Sequence, residues 1–345
     1  MVAGRVLRAL RDGTGASRES FAENLGVDPD TVKSWETGKR PLGNARAHTV
    51  RMIGRELLRG GAETGGVQLL ETAMDADGFL ADVWAGSDPA RWLLAGVVGT
   101  RELFDLVAWP LTGAPPVALK DLVGDDHSPT FRPAEQAHFY DALRDGADNP
   151  AGGVLLRRQA YFLSSRDTRT QTRDWLAQTE RAGLRQVSGD PWPSGWVTHR
   201  SLAVARACQG DPDLLRAFIG SQVAGDDRAE MANLVYWCYW VASGGQAASD
   251  EFMAKASPAQ LHVKTLLEHL AVQLHGDNPY IDLSAYSVES LVRRYPRALL
   301  GDRKLAGSLA GSAERLLSSG PEFPLTHRAL DRIVFAARIA QEETA

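Results

Sequence analysis

The stretch that decides the fold of the N-terminal region is residues 16–41, ASRESFAENLGVDPDTVKSWETGKRP. It contains two short helical patterns with a tight turn between them. Ser17 is a favourable N-cap for the first helix, since its hydroxyl can accept from a free amide of the first turn. Gly26 follows Leu25 and suits the left-handed position that ends a helix. The first helix is therefore predicted to end at Leu25.

The second helical pattern begins after Asp28. Asp28 is a typical N-cap, and Pro29 occupies the first helical position, where a missing N–H costs nothing. Val32 and Trp35 lie three residues apart and therefore point to the same, inward side. The outward face then consists of Pro29, Asp30, Lys33 and Ser34. A helix, a glycine turn and a second helix at this spacing are typical of a unit that places its second helix in the major groove of DNA.

Amphipathic patterns precede and follow this pair of helices. In the preceding pattern, apolar residues recur at helical spacing and basic residues fall between them, which predicts that the basic side chains point outward. The apolar set is Val6, Leu7 and Leu10, and the basic set is Arg5, Arg8 and Arg11. The apolar set that follows the pair is Val50, Ile53, Leu57 and Leu58.

These features resemble the lambda-repressor-like, XRE-family helix-turn-helix over about residues 3–60. The matching residues are Ser17, Phe21-Ala22, Leu25-Gly26-Val27, the run from Thr31 to Glu36, and Gly38-Lys39-Arg40-Pro41. The resemblance implies a five-helix domain whose partner is double-stranded DNA. It also implies base-edge contacts at Pro29, Asp30 and Ser34, with Lys33 close by, and phosphate contacts at Arg18, Lys39 and Arg40.

Elementary chemistry supports the phosphate contacts and leaves the base contacts open. Arg18 lies at a helix N-terminus, and Lys39 and Arg40 lie in the loop after the second helix; both are suitable places to hold phosphate. The base-facing side departs from the family pattern, because Pro29 and Asp30 replace the polar amides common there. Asp30 either accepts from a cytosine amino group or supports the N-terminus of its own helix.

Charge is unevenly distributed along the 345 residues. Residues 1–61 contain 11 Lys and Arg against 7 Asp and Glu, whereas the other residues contain 27 against 36. A basic N-terminal region followed by an acidic remainder is expected if only the N-terminal region binds a polyanion. The glycine-rich stretch GGAETGG at 60–66 predicts a linker between a helix-turn-helix domain, 1–61, and a second domain, 67–345.

The second domain is predicted to be almost wholly helical, with a loop-like segment from Pro110 to Pro133. No β-hairpin or βαβ pattern is present, so the predicted fold class is all-α, with a helical bundle or helical-repeat-like domain after the linker. A capping box at Ser257 and Gln260 predicts the start of a strong amphipathic helix. The region is also similar to the helical regions attached to XRE-type regulators of actinobacteria, which implies a regulatory or dimerisation domain.

The aromatic run YWCYW at 236–240 is the most unusual feature of this second domain. Bulky residues on all sides of a helix indicate that the helix is central to its bundle. Core packing is one interpretation of the run. A ligand pocket or a dimer surface is the other, formed by Tyr236, Trp237, Tyr239 and Trp240.

Motifs for catalysis, for cofactors and for metals are lacking. The sequence has neither the GxSxG of a nucleophile elbow nor the GxxxxGK[ST] of a phosphate-binding loop. Its most suggestive ligand types are His262, His269 and His275, which lack compact metal spacing, and Asp125-Asp126-His127, which is typical of a solvated loop. We therefore expect no enzymatic activity, no cofactor and no metal.

Together these patterns predict a cytoplasmic, sequence-specific DNA-binding transcriptional regulator. No membrane partner is expected, because no run of 18 apolar residues occurs. A homodimer is expected, since one small domain makes few base contacts and two domains on a palindrome discriminate better. The sequence leaves the effector, whether a small molecule or a protein, unidentified. The alternative is an antitoxin-like or scaffold protein whose helical body binds a protein partner.

Overall fold

The computed structural model describes residues 2–120, 122–123, 130–186, 192–241 and 247–343. Within these ranges the backbone forms helices and no β-strand, which confirms the predicted all-α class. No helix there is both long and apolar enough to cross a membrane. The α-helices of the first half are α1 (Val2–Gly13), α2 (Arg18–Leu25), α3 (Pro29–Glu36), α4 (Ala47–Arg59), α5 (Thr64–Ala85), α6 (Leu93–Gly96), α7 (Arg101–Thr112), α8 (Pro133–Asp148) and α9 (Gly153–Ser164). Those of the second half are α10 (Thr170–Gln186), α11 (Ser194–Cys208), α12 (Asp213–Gln222), α13 (Asp227–Val241), α14 (Val263–Val272), α15 (Ile281–Arg294), α16 (Arg303–Ser318) and α17 (Pro324–Glu343).

The chain divides into two compact units, Met1–Leu163 and Ser164–Ala345. This division lies far beyond the glycine-rich stretch at 60–66 that predicted a linker. α5 begins inside that stretch, at Thr64, and packs against α1 and α4. Four α-helices thus lie within the first 61 residues, and α5 is the fifth helix of the same packed group.

Two helices form the interior of the C-terminal unit. In α13, residues 229–238 are buried without interruption, so the aromatic run lies on a central helix as predicted. In α15, residues 282–292 are buried without interruption, and α12, α13, α14 and α17 pack around it. α15 contains several serines among its apolar residues. Because these serines interrupt the apolar pattern, hydrophobic periodicity does not predict that α15 is a central helix.

The capping box at Ser257 and Gln260 does not open the helix predicted for it. The Ser257 amide donates to Gln260 Oε1 at 2.8 Å, but the two residues frame a short 3₁₀ turn. The turn ends at Leu261, whose extended backbone (φ −88°, ψ 120°) interrupts the helix. α14 therefore begins at Val263, and its buried apolar residues are Leu266, Leu267, Leu270 and Ala271.

Candidate nucleic-acid interface

The turn between α2 and α3 is held by the caps that the sequence predicts. Ser17 is the N-cap of α2, and its hydroxyl oxygen accepts from the Ser20 amide at 3.1 Å. Gly26 ends α2 with φ 64° and ψ 36°, a conformation that glycine adopts easily because it has no Cβ. Asp28 is the N-cap of α3, and its carboxylate accepts from the Asp30 amide at 2.7 Å. Both caps and the glycine turn are therefore confirmed.

An ionic cluster around the buried Glu36 joins the first three helices through Arg11 and the half-buried Arg18. Arg11 Nε donates to Glu36 Oε1 at 2.6 Å, and Arg18 donates through Nε and Nη2 to Glu36 Oε2 at 3.0 and 2.9 Å. Glu36 is 2% exposed and Arg11 is 5% exposed. The prediction that Arg11 points outward is wrong, because the buried carboxylate at the end of α3 requires a counter-charge inside the bundle.

α1 approaches the C-terminal end of α3 closely. A Cβ added at Gly4 would lie 2.3 Å from the Trp35 carbonyl oxygen, so this contact requires glycine. Val32 and Trp35 are 0% and 4% exposed, as their spacing predicts. The inner side of α3 is therefore held by apolar packing and its C-terminal end by α1 and the ionic cluster.

The outer side of α3 carries the four residues predicted to face DNA bases. Pro29, Asp30 and Lys33 are exposed, and Ser34 is half-buried. The Ser34 hydroxyl donates to the Asp30 carbonyl oxygen at 2.7 Å and retains its own acceptor capacity. The four side chains share one accessible face of a firmly held helix.

Asp30 has a carboxylate that its own helix does not use for capping. The N-cap bond of α3 is made by Asp28, which accepts from the Asp30 amide. Within the described ranges, the Asp30 side chain has neither a hydrogen-bond partner nor an ion-pair partner. Direct capping of α3 is therefore done by Asp28, and both roles predicted for Asp30, a cytosine contact or charge support of the helix N-terminus, stay predictions.

Two cations follow α3 in an exposed loop. Gly38 turns the chain there with φ 74°, and the Arg40 amide donates to the Ser34 carbonyl oxygen at 3.0 Å. Lys39 and Arg40 are both exposed, and neither forms an ion pair with any other described residue. Arg18 differs from them, because it is paired with Glu36, a carboxylate that it shares with Arg11.

The comparisons with known proteins agree with this geometry. Residues 2–55 match the family described as a helix-turn-helix domain. The N-terminal region is a helix-turn-helix domain. Such domains are typical of DNA-binding regulators. No curated protein and no solved structure matches the chain.

A residue outside the matched range also supports this domain. Asp77 on α5 accepts from the amides of Val2 at 2.6 Å and Ala3 at 3.0 Å, and so satisfies the free N–H groups at the start of α1. Burial raises the pKa of Asp77, and the two amide hydrogen bonds offset only part of this rise. Sequence reasoning missed Asp77, since 75 residues separate it from Val2.

The aromatic run of α13 divides into two parts. Tyr236 and Trp237 are 7% and 4% exposed, and the Arg200 guanidinium lies over their rings at 4.3 and 5.2 Å. Trp237 Nε1 also donates to a serine hydroxyl of α15 at 3.0 Å. These two residues are therefore packed in the core. Tyr239 and Trp240 are half-buried, and a pocket or dimer surface there stays a prediction.

A second buried carboxylate, Glu230, lies near the start of α13. Its Oε1 accepts from the Tyr286 hydroxyl at 2.5 Å, and its Oε2 accepts from Arg293 and Arg294, each at 2.7 Å. Burial alone would raise the pKa of Glu230, but the hydrogen bonds from Tyr286, Arg294 and Arg293 outweigh it and lower the pKa to about 2. The cluster borders a cavity of about 330 Å³. Glu230 is therefore a fully partnered anion inside the C-terminal unit.

The candidate metal ligands do not gather into a site. No group of three or more His, Cys, Asp or Glu able to hold a metal ion occurs in the part of the chain that the structure describes. The histidines considered are His262 before α14, His269 within it and His275 after it. Asp125, Asp126 and His127 lie outside the described residues.

Proposed function

We propose that the chain is a sequence-specific DNA-binding transcriptional regulator of the lambda-repressor-like, XRE type. α3 enters the major groove, and Pro29, Asp30, Lys33 and Ser34 face the base edges. The observation that carries this proposal is the contrast between the two sides of α3. Its inner side and its C-terminal end are fixed by packing and by Glu36, while its outer side is polar and exposed. A helix held in this way loses little conformational entropy when it binds.

Lys39 and Arg40 contact the phosphate backbone beside α3. Their support is that both are exposed and free of intramolecular ion pairs with other described residues. Arg18 contributes less electrostatic attraction, because its guanidinium is already paired with Glu36 at 2.9 Å and is only partly exposed. Arg18 acts mainly by holding α2 against the end of α3.

The rest of the chain serves dimerisation or signal coupling in the cytoplasm, without catalysis. Two helix-turn-helix domains on a palindromic operator provide enough base contacts for specificity. A small molecule or a protein is the effector of such a regulator. The helical region 67–345 is similar to the regions attached to XRE-type regulators in actinobacteria, which supports this division of roles.

Selection of bound fragments from a random duplex DNA pool tests the proposal. The full chain should enrich one short motif, with half-sites about 10 base pairs apart if it binds as a dimer. The double variant Lys39→Ala/Arg40→Ala should lose this enrichment at moderate salt. The matched control is Arg303→Ala/Lys304→Ala, since these adjacent, exposed basic residues begin α16. No enriched motif, or equal enrichment by the Lys39/Arg40 variant, would contradict the proposal.

A further inference from the structure

One side of α17 forms an exposed stripe, which we call the α17 stripe. Its members recur every three or four residues and are all exposed. They are Arg328, Asp331, Arg332, Phe335, Arg338, Ile339 and Glu342. The other side of α17 is buried against α15 and α16. Fourteen residues separate the two ends of the stripe, which corresponds to about 21 Å of helix.

The centre of the α17 stripe is apolar. Phe335 is 69% exposed, and Ile339, one helical turn further on, is 38% exposed. Charged residues flank this pair on both sides. An apolar centre with a charged rim is the usual composition of a protein interface.

Three charged residues of the stripe already have partners within the chain. The pairs are Arg332 with Glu289 at 3.0 Å, Arg338 with Glu314 at 2.7 Å, and Asp331 with His327 at 3.0 Å. Arg328 and Glu342, at the two ends of the stripe, have no ion-pair partner among the described residues. Each lies seven residues from Phe335, and their charges are opposite.

We propose that the α17 stripe binds the same stripe of a second copy of the chain, antiparallel, with a two-fold axis at Phe335. A two-fold interface is self-complementary: if one residue faces another, the reverse contact also forms. When Phe335 lies against its own copy in an antiparallel pair, Arg328 of each chain faces Glu342 of the other. The interface then contains the two Phe335 rings at its centre and two identical ion pairs. The same operation places Arg332 opposite Arg338, whose charges are balanced by Glu289 and Glu314 of their own chains, and Asp331 opposite Ile339.

The charge pattern selects this occupant and this direction. In a parallel pair of α17 helices, Arg328 would face Arg328 and Glu342 would face Glu342, which is unfavourable. Only in the antiparallel arrangement do the unpaired charges compensate each other. Arg328 and Glu342 lie at equal distances from Phe335. This equal spacing is needed for pairing with a second copy, whereas an unrelated partner would not require it. The dimer would supply the second DNA-binding domain of the proposed function, on which its biological role rests.

The first test measures the oligomeric state of the full chain without DNA, by sedimentation equilibrium. The wild-type protein should dimerise reversibly, and Phe335→Glu should raise the dimer dissociation constant by about 100-fold, since central aromatic residues dominate interfaces. Val272→Glu is the matched control, because Val272 on α14 is 73% exposed. A monomeric wild-type chain, or an equal dissociation constant for Phe335→Glu, would overturn the proposal.

The second test examines the register with charge reversals. Arg328→Glu and Glu342→Arg should each raise the dissociation constant by about tenfold, because each change replaces two attractive pairs by repulsive ones. The double variant Arg328→Glu/Glu342→Arg re-forms both pairs and should return close to the wild-type value. Additive weakening in the double variant would overturn the antiparallel register. Since these measurements contain no DNA, their failure is distinguishable from a failure of DNA binding.

Discussion

Each unit contains a buried glutamate that pairs with two arginines and ties helices together, Glu36 in the first unit and Glu230 in the second, and the two clusters differ in what they hold. Glu36 is 2% exposed and binds one arginine on each carboxylate oxygen, Arg11 on Oε1 and Arg18 on Oε2. Glu230 is 3% exposed and binds both of its arginines through Oε2, while Oε1 accepts from Tyr286. The chemistry is the same, but the sequence separations are 25 and 18 residues for Glu36 and 56 to 64 residues for Glu230.

The Glu36 cluster therefore positions a helix with an exposed face, whereas the Glu230 cluster holds two buried helices together. The Glu36 cluster ties α1 and α2 to the last turn of α3, so it determines how the exposed face of α3 is presented. The Glu230 cluster ties α13 to α15, both of which are buried over most of their length. We therefore expect Glu36 to affect both stability and DNA binding, and Glu230 to affect stability alone.

The largest expected effect is the loss of either carboxylate charge. Glu36→Gln removes the buried counter-charge of Arg11 and Arg18, and Glu230→Gln removes that of Arg294 and one of the two buried carboxylates paired with Arg293. Each change should lower the free energy of unfolding by about 3 kcal/mol. Amide hydrogen exchange by mass spectrometry should show faster exchange in α1, α2 and α3 for Glu36→Gln. It should show faster exchange in α13 and α15 for Glu230→Gln. DNA affinity should fall about tenfold in the first variant only.

An exposed ion pair provides the control for these two variants. Glu314 pairs with Arg338, and their side chains are 46% and 64% exposed, so Glu314→Gln should change stability by less than about 1 kcal/mol. If either variant speeds amide hydrogen exchange equally in both units, the expectation that each glutamate stabilises only its own unit is wrong. If Glu230→Gln loses as much DNA affinity as Glu36→Gln, the expectation that only the Glu36 cluster affects DNA binding is wrong.

Acid should weaken the Glu230 cluster in a defined range. The pKa of Glu230 is lowered to about 2 in the folded chain from an ordinary value of 4.5, so its ionised form stabilises the fold above pH 4.5. This contribution is lost as the pH falls from about 4.5 towards 2. The urea midpoint of the wild-type chain should therefore fall more steeply over this range than that of Glu230→Gln. Parallel curves for the two proteins would contradict the role assigned to this carboxylate, and Glu251→Gln, at an exposed site, serves as the control.

The local features of the N-terminal domain were accessible from the sequence because each depends on residues that are neighbours in the chain. The caps at Ser17 and Asp28 and the left-handed Gly26 all act within one helical turn. The inward positions of Val32 and Trp35 follow from helical spacing alone. These features place the outer face of α3, and with it the candidate DNA-binding residues.

Features that depend on distant residues were not accessible in this way. Amphipathic spacing predicted that Arg11 lies on the surface. The pattern contains no information about its partner, the buried carboxylate of Glu36, which lies 25 residues later in the chain. Asp77 lies on a helix whose approach to α1 has no local signature. Glycines at 60–66 are typical of a linker, yet two of them begin α5, since packing against α1 outweighs their low helix propensity.

The two units should also differ in how their exposed cations respond to salt. Lys39→Ala and Arg40→Ala should each weaken DNA binding about tenfold and reduce the slope of log K against log salt by about 1, since each removes one phosphate contact. Lys304→Ala, an equally exposed change in the C-terminal unit, should leave the slope unchanged. Fluorescence anisotropy over a salt series measures both quantities. Unchanged slopes in both N-terminal variants would remove these residues from the phosphate contacts.

The smallest expected effect is at Asp30, where the N-terminal unit exposes a carboxylate instead of burying one. Because Asp28 makes the capping bond of α3, the Asp30 carboxylate is available to accept from a cytosine amino group. Asp30→Asn should then reduce the preference for one base pair by about 1 kcal/mol, a factor of roughly five, measured by competition among single-base variants of the selected site.

The accompanying change in non-specific binding separates the two roles of Asp30. Removing a negative charge from a surface that faces phosphates should strengthen binding to unrelated DNA slightly, by roughly twofold. Glu71→Gln, on the exposed side of α5, removes the same charge away from α3 and should change neither quantity. If Asp30→Asn strengthens non-specific binding but leaves base preference intact, Asp30 supports its helix N-terminus and reads no base. If Asp30→Asn changes neither base preference nor non-specific affinity, the outer face of α3 is not the surface that contacts DNA. The exposure of Asp30, in contrast to the burial of Glu36, then has no role in DNA binding.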